Sequence, residues 1–148
     1  MAEAPMAIAL AEAADAGRRG EVPVGAVLVD AGGRVLAAAG NRVEELCDPT
    51  AHAELLVIRA AAEQRREPRL ADCDLHVTLE PCPMCAAAIS FARLRRVYFG
   101  AYDPKGGGVE HGARVFDQPT CHHRPEIYGG IEERRAATLL RDFFRDRR

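Results

Sequence analysis

Short apolar runs rich in β-branched residues alternate along this chain with longer segments of helical spacing. Residues 22–29 and 34–39 flank the turn sequence Asp30-Ala31-Gly32-Gly33, which predicts a β-hairpin. The second predicted helix has Asp48 or Thr50 as its expected N-cap. The predicted strands are residues 22–29, 34–39, 75–79 and 97–100, and the predicted helices are residues 3–18, 51–63, 83–92 and 131–144. This alternation predicts a layered α/β fold.

The composition is that of an ordinary globular protein. The 148 residues match a single domain over 1–148, and a content of 48% hydrophobic and 28% charged residues excludes disordered and fibrous classes. The apolar runs are far shorter than the roughly 18 residues of a membrane helix, and the first residues lack the basic region of a secretion signal. We therefore expect a cytoplasmic protein with no membrane partner, whose five cysteines stay reduced.

Metal-ligand residue types occur in two places, each at the expected start of a helix. Cys82 and Cys85 are three residues apart, so they lie on one face of a helical turn and can bind one ion. Pro83 fits the first helical position, which puts both sulfurs at the positive end of the helix dipole, where thiolates are favoured. In the middle of a helix the side chains of His52 and Glu54 would point in different directions. At the start of a helix, both side chains can reach a site beyond the helix end.

One imidazole and two thiolates leave the fourth position of a tetrahedral zinc ion open, which is typical of catalytic zinc. Glu54 is then free to exchange a proton with water, and hydrolysis is the expected reaction. Two other interpretations stay open, a redox-active C-x-x-C pair and a structural zinc site with a fourth protein ligand. The residues available as a fourth ligand, or for a separate ion, are Cys47, Cys73, Cys121, His122 and His123. Of these, Cys47 and Cys73 fit small core or loop residues better.

The combined motif, His52-x-Glu54 followed by Pro81-Cys82-x-x-Cys85, is the signature of the zinc-dependent nucleobase and nucleoside deaminases. Longer strings extend the match nearly end to end, and through them the chain resembles the bacterial tRNA-specific adenosine deaminase family. These strings are residues 21–26, 41–42, 48–54, 78–82, 84–86, 103–107, 122–127 and 142–145. The later strings discriminate best, because cytidine and guanine deaminases share the zinc motif but not the C-terminal region.

The resemblance implies a three-layer α/β/α fold of the cytidine deaminase type, with a five-stranded mixed sheet, in a homodimer. It implies hydrolytic deamination of adenosine to inosine at the wobble position of a tRNA anticodon, by a zinc-activated water that attacks C6 of adenine. The implied zinc ligands, for one Zn²⁺ per subunit, are His52, Cys82 and Cys85, with Glu54 as the proton shuttle. The implied substrate contacts are Asn41 for the flipped base or its ribose, the Ala53 backbone for the purine edge, and Asp103 for the neighbouring nucleotide.

Contacts to a tRNA anticodon loop require local cations and stacking surfaces. Six arginines and two aspartates give residues 134–148 a local charge of +4, in a chain of formal charge −2. This pattern fits either a solvated helix face or an RNA contact, and the resemblance favours RNA. A second basic cluster, Arg93, Arg95 and Arg96, fits a dimer surface or a strand edge. The candidate RNA contacts are Tyr102, Lys105, His123, Arg124, Arg145, Arg147 and Arg148.

Two alternatives to tRNA editing stay open at this point. A deaminase of a free base or nucleoside, such as guanine or cytosine, would use the same zinc site and the same Glu54. A zinc-stabilised binding module without catalysis would instead need a closed site with four protein ligands.

Overall fold

The computed structural model describes residues 4–147. Its strands are β1 (Gly25–Val29), β2 (Val35–Gly40), β3 (Asp74–Leu79), β4 (Arg96–Ala101) and β5 (Glu126–Tyr128). Its helices are α1 (Pro5–Arg18), α2 (Val43–Leu46), α3 (Ala53–Arg65), α4 (Pro83–Ala92) and α5 (Glu133–Arg145), with a short 3-10 turn at Val115–Asp117. No helix in this part of the chain combines the length and the apolar character of a membrane-spanning segment.

The sheet is mixed and lies between two layers of helices. Its strand order is β2-β1-β3-β4-β5, with β1 antiparallel to both of its neighbours and β3, β4 and β5 parallel. On one face, Leu28, Leu75 and Phe99 pack in a core with α3 and α4. On the other face, Val27 and Val29 pack with α1 and α5. Because helices cover both faces, the interior strand β1 is apolar and buried along its whole length. The predicted three-layer fold with five strands is confirmed.

The first strand is shorter than predicted because the chain turns before it. Val24 N–H donates to the carbonyl of Val22 at 2.8 Å, which closes a tight turn around Pro23, a residue without a backbone donor. The strand therefore begins at Gly25 instead of residue 22. At Gly25 the helix α1 lies so close that a Cβ atom would be 1.9 Å from the carbonyl oxygen of Ala9, so only glycine fits there.

The predicted N-cap of the second long helix is wrong. His52 is the N-cap residue of α3, whereas the backbone N–H and hydroxyl of Thr50 both bond to Asp48 Oδ1, at 2.8 and 2.7 Å. Asp48 and Thr50 therefore close a turn of their own before the helix. The last helix begins two residues later than predicted, because Ile131 N–H bonds to the carbonyl of Phe99. Three further short elements were not predicted from the sequence, which are α2, the 3-10 turn and β5.

The order and direction of the strands bring several loops to one edge of the sheet. β3 and β4 are parallel, and Leu79 pairs with Ala101 at their carboxyl ends. The loops after these two strands therefore start side by side. β1 is antiparallel to β3, so its first residue, Gly25, lies at the same edge. Three segments consequently lie close together at this edge of the sheet, which are residues 20–24, 80–82 and 102–107.

Candidate metal centre and active site

Two helices begin at this edge and bring the metal-ligand residues together. His52 is the N-cap residue of α3, and Cys82 is the N-cap residue of α4, with Pro83 at its first position. Cys85 follows in the first turn of α4. Both helix dipoles present their positive ends to the site, which favours thiolate and carboxylate groups there.

The three donor atoms have the spacing that a tetrahedral zinc ion requires. His52 Nδ1 lies 3.6 Å from Cys82 Sγ and 3.5 Å from Cys85 Sγ. With Zn–N bonds of about 2.0–2.1 Å and Zn–S bonds of about 2.3 Å, tetrahedral angles place nitrogen and sulfur about 3.6 Å apart. Within residues 4–147 the donor group consists of these three residues. The side chains therefore fit a zinc ion as they stand, with a fourth position for a ligand from outside the group.

The other cysteines lie outside this group. Cys73 is buried in the larger core, and Cys47 is exposed at the end of α2. Cys121 Sγ contacts Ser90 Oγ at 3.5 Å and the carbonyl of His123 at 3.2 Å. Among the described residues the structure therefore does not bring a third cysteine to the site as a fourth ligand, and it supports the open catalytic arrangement over a structural one.

Contacts within the donor group favour the thiolate form of one cysteine. A hydrogen bond with Cys85, together with one to the His52 ring, lowers the pKa of Cys82 below its usual range despite partial burial. The bond to Cys82, with burial, raises the pKa of Cys85. The two thiols thus differ in their tendency to ionise, and binding of a metal ion to both as thiolates requires loss of the Cys85 proton.

Glu54 lies beside the donors, in the first turn of α3, without belonging to their group. The residue is 3% exposed, and its Oε1 has no hydrogen-bond partner among the described residues. Burial raises the pKa of Glu54 above its usual range, because desolvation disfavours the charged form. A buried carboxyl oxygen with no protein partner can accept a proton from a ligand and return it.

A cavity of about 600 Å³ opens onto these residues. Cavities of about 300–1,000 Å³ are typical of small-molecule sites, so this one can hold a nucleoside. His52, Glu54 and Cys82 form part of its wall. Other wall residues, which come from separate elements, are Asn41, Glu80, Asp103, Phe143 and Arg147.

Asn41 connects the cavity wall to the start of α3. Its Oδ1 accepts a hydrogen bond from Ala53 N–H at 2.8 Å, and its backbone carbonyl accepts one from Arg19 at 3.1 Å. The Ala53 N–H is one of the donors that a helix start leaves free, so Asn41 caps the helix from outside it. This bond engages the backbone N–H at Ala53 and leaves Asn41 chiefly its Nδ2 hydrogens for a ligand.

Two buried glutamates at the site were missed by the sequence analysis. Glu80 follows β3 directly and accepts hydrogen bonds from the backbone N–H groups of Asp103 and of residues 109–111. Burial raises the pKa of Glu80, but these donors and the His111 ring outweigh it and hold the pKa below its usual range. Glu21 accepts two backbone N–H bonds from the first turn of α2. The sequence feature that could have identified them is their position beside a buried strand, because a buried carboxylate needs hydrogen-bond donors.

Three of the predicted RNA contacts lie at or near the cavity. The Arg147 guanidinium stacks 3.7 Å from the centre of the Phe143 ring, and both residues line the cavity. Phe143 was not singled out from the sequence. Tyr102 and Lys105 lie on the exposed loop that carries Asp103, and Tyr102 is 41% exposed. Phe143 and Arg147 thus line the cavity themselves, whereas Tyr102 and Lys105 are sequence neighbours of the lining residues Asp103 and Gly106.

The remaining predicted RNA contacts are engaged elsewhere or lie outside the described residues. His123 Nε2 is 2.7 Å from the carbonyl oxygen of Leu94, and Arg124 and Arg145 each pair with a nearby aspartate. None of these three side chains lines the cavity. Arg148 lies beyond the described part of the chain.

Two arginines of the second basic cluster pair with acidic residues at the amino ends of the strands. Arg95 donates two hydrogen bonds to the Asp74 carboxylate, at 2.9 and 2.7 Å, and Arg96 lies 3.4 Å from Glu126. Arg93 ends α4 in the left-handed conformation. These residues lie near the amino ends of β3 and β4, opposite the cavity, so the structure supports the strand-edge interpretation.

The chain is similar to known deaminases over the segments that build this cavity. It matches the family model described as the cytidine and deoxycytidylate deaminase zinc-binding region over residues 1–101, which end where β4 ends. A tRNA-specific adenosine deaminase of Agrobacterium fabrum is 62% identical over 97% of this chain and 93% of the relative.

Solved structures show the same relationship. A structure from a study of A-to-I editing by tRNA:A34 deaminases at the wobble position of transfer RNA has a TM-score of 0.90 and 61% identity, over 92% of this chain and 98% of that one. A guanine deaminase structure from Bacillus subtilis has a TM-score of 0.65 and 32% identity, over 84% and 82% of the two chains.

We expect Cys82→Ser to lower the zinc content of the purified protein at least about tenfold, because a serine hydroxyl does not replace a thiolate ligand. Elemental analysis by mass spectrometry measures the zinc directly. Cys121→Ser is the matched control, since Cys121 is also half-buried but bonds to Ser90 and His123. It should keep the wild-type zinc content, and equal loss in both variants would contradict the assignment.

Proposed function

Because this chain belongs to the cytidine and deoxycytidylate deaminase family, we propose that it converts adenosine to inosine at the wobble position of a tRNA anticodon, with release of ammonia. The observation that carries this proposal is the 62% identity to a tRNA-specific adenosine deaminase across 97% of the chain. The guanine deaminase structure is 32% identical, so the identity favours tRNA over a free base.

We propose that His52, Cys82 and Cys85 hold one Zn²⁺ per subunit. Imidazole nitrogen and thiolate sulfur are ligands that zinc prefers, and the spacing of the three atoms fits the ion. When bound, Zn²⁺ supplies Lewis acidity that brings the pKa of water close to neutrality. A side chain of the protein has to accept the proton that such a water would release.

Glu54 is the proposed proton carrier. In the net reaction water adds at C6 of adenine and the amino group leaves as ammonia, so protons move from the water to N1 and to the leaving nitrogen. The Oε1 atom of Glu54 can accept such a proton, since no described residue bonds to it. The raised pKa of Glu54 supports this role, because the carboxyl group can hold the proton between the two transfers.

The proposed substrate contacts surround the same carboxylate. Asn41 binds the flipped base or its ribose, as the family resemblance implies. The backbone at Ala53 stays the predicted contact for the purine edge, although its N–H bonds to Asn41 Oδ1 in this structure. Asp103, on the far wall of the cavity, binds the neighbouring nucleotide. Extrusion of the target base from the anticodon loop is required, because the reacting C6 atom must reach Glu54 inside the cavity.

We propose that the anticodon loop lies across the mouth of this cavity. Phe143 offers a ring for stacking a base, and Arg147 offers a cation for a phosphate. Tyr102 and Lys105 extend the contact on the opposite side. The contacts that stay predictions without further support are His123, Arg124, Arg145 and Arg148.

We further propose that the whole chain acts as one deaminase domain in a cytoplasmic homodimer. Phe91 on α4 is 64% exposed, and its ring lies 5.3 Å from that of His122. Aromatic residues are enriched in protein interfaces, so Phe91 is a candidate contact between subunits. A reducing cytoplasm suits a centre built on free thiols. Sedimentation of the purified protein measures the mass of the assembly.

The proposed function is tested by offering the purified protein a tRNA anticodon stem-loop with adenosine at the wobble position, beside free adenosine, cytosine and guanine. We expect inosine at the wobble base, detected by sequencing of the product, and ammonia release from the RNA alone. Turnover of a free base without turnover of the RNA would reject the proposal in favour of the nucleobase alternative.

We expect Glu54→Gln to lower kcat on the stem-loop by about 10³-fold, since an amide of the same size cannot carry the proton. Zinc content should stay at the wild-type level, because Glu54 is outside the donor group. Glu63→Gln, an exposed position on the same helix, is the matched control and should keep full activity. Activity that survives Glu54→Gln with zinc bound would exclude the assigned role.

Arg147→Ala should raise KM for the stem-loop about fivefold and reduce the salt dependence of binding by about 0.7 in log–log slope, the value for loss of one single-strand phosphate contact. Titrations at several salt concentrations measure both. The control is Arg34→Ala, an arginine 81% exposed in the β1–β2 hairpin, at the other end of the sheet. Equal effects of the two changes would show a general charge effect instead of a contact.

A further inference from the structure

A single buried carboxylate holds the loop that forms one wall of the cavity. Glu80 follows β3, and its side chain is 0% exposed. Its Oε1 accepts the N–H of Asp103 at 3.0 Å and lies 2.8 Å from the His111 ring nitrogen Nδ1. Its Oε2 accepts the N–H groups of Val109, Glu110 and His111 at 3.2, 2.9 and 3.0 Å. All five contacts are made to one short stretch of chain.

These contacts lie at both ends of the loop, residues 103–111. The first donor is Asp103 and the last is His111, so hydrogen bonds to one carboxylate join the two ends of the loop. The chain between them passes directly over Glu80, since a Cβ atom on Gly107 would lie 2.5 Å from Oε2. A carboxylate is needed here, because the four N–H groups would otherwise be buried without acceptors.

The same loop rests on the turn that carries a metal ligand. Gly108 N–H donates to the carbonyl of Pro81 at 2.8 Å, and a Cβ atom on Gly108 would lie 2.6 Å from the backbone nitrogen of Pro83. Cys82 lies between these two prolines. The loop is therefore fixed relative to the donor group, and its residues Asp103 and Gly106 line the cavity.

We propose that Glu80 is a positioning residue for the RNA substrate, which holds residues 103–111 in the conformation that binds the nucleotides beside the target adenosine. This inference rests on the proposed function for the identity of the substrate. Glu80 acts through the loop, so its loss should weaken substrate binding more than it slows the chemical step at Glu54.

The test uses Glu80→Gln in the full-length, zinc-loaded protein. The amide keeps the size of the side chain but can accept hydrogen bonds at one oxygen only, so its NH₂ group faces backbone N–H donors. We expect KM for the stem-loop to rise about tenfold, kcat to change less than about threefold, and zinc content to stay unchanged. Hydrogen exchange should become faster at the amides of Asp103 and of residues 109–111.

Two further variants separate positioning from general stability. Thr78→Val, two residues earlier on the same strand, removes the buried bond from Gly25 N–H to Thr78 Oγ1 but does not touch the loop. It should lower the melting temperature while KM and loop exchange stay at wild-type values. His111→Ala removes one of the five contacts and should raise KM about two- to threefold, which keeps the inference testable if Glu80→Gln does not fold.

The outcomes distinguish this inference from the proposed function. Unchanged exchange at the four amides in Glu80→Gln would overturn the inference, whatever the activity. An equal rise of KM in Thr78→Val would also overturn it, because the effect would then come from lost stability. A wild-type protein that does not act on RNA would reject the proposed function, and with it RNA as the substrate that the loop binds. The exchange measurement would still decide whether Glu80 holds the loop.

Discussion

The amino-terminal ends of α3 and α4 meet at one point, and the surrounding architecture serves to hold them there. Each helix start places a candidate metal donor at its N-cap, His52 on α3 and Cys82 on α4. Free N–H groups and the positive ends of two helix dipoles then face the site, where they stabilise thiolate and carboxylate groups. The adjoining strands β1, β3 and β4 supply the edge against which both helices begin, so the active site depends on the strand order as much as on its own residues.

Three buried glutamates lie around the cavity, and their hydrogen bonds decide whether each one has a structural or a chemical role. Glu80 and Glu21 are surrounded by backbone N–H donors, which fix their oxygens and the segments that they bond. Glu54 is equally buried, but its Oε1 has no partner among the described residues. A carboxylate whose oxygens are bonded to backbone N–H groups is held in place, whereas one with a free oxygen can exchange a proton with a ligand.

Sequence patterns predicted those parts of the structure that are determined by the residues of a short local segment. Strands β1 to β4 contain short runs rich in apolar residues, and α4 begins at a proline, so these elements were predictable. The candidate metal donors were predictable as well, because they occupy two short motifs. β5 was not, because its three residues include the exposed Glu126 and Tyr128 and show no period. The role of Glu80 depends on partners 23 to 31 positions away, and the neutralisation of Arg95 depends on Asp74, 21 positions away. Such pairings follow from tertiary contacts and not from spacing along the chain.

The hydrogen bond between Asn41 Oδ1 and Ala53 N–H joins two properties that proteins often keep separate. One side chain both shapes the ligand cavity and completes the first turn of the helix that carries Glu54. A mutation at position 41 that remodels the cavity therefore also loosens that turn, by about 1 kcal/mol for loss of such a cap. A substitution at this position is therefore expected to change selectivity and to lower stability at the same time. Laboratory evolution toward new substrates should succeed more easily with substitutions in the opposite wall of the cavity.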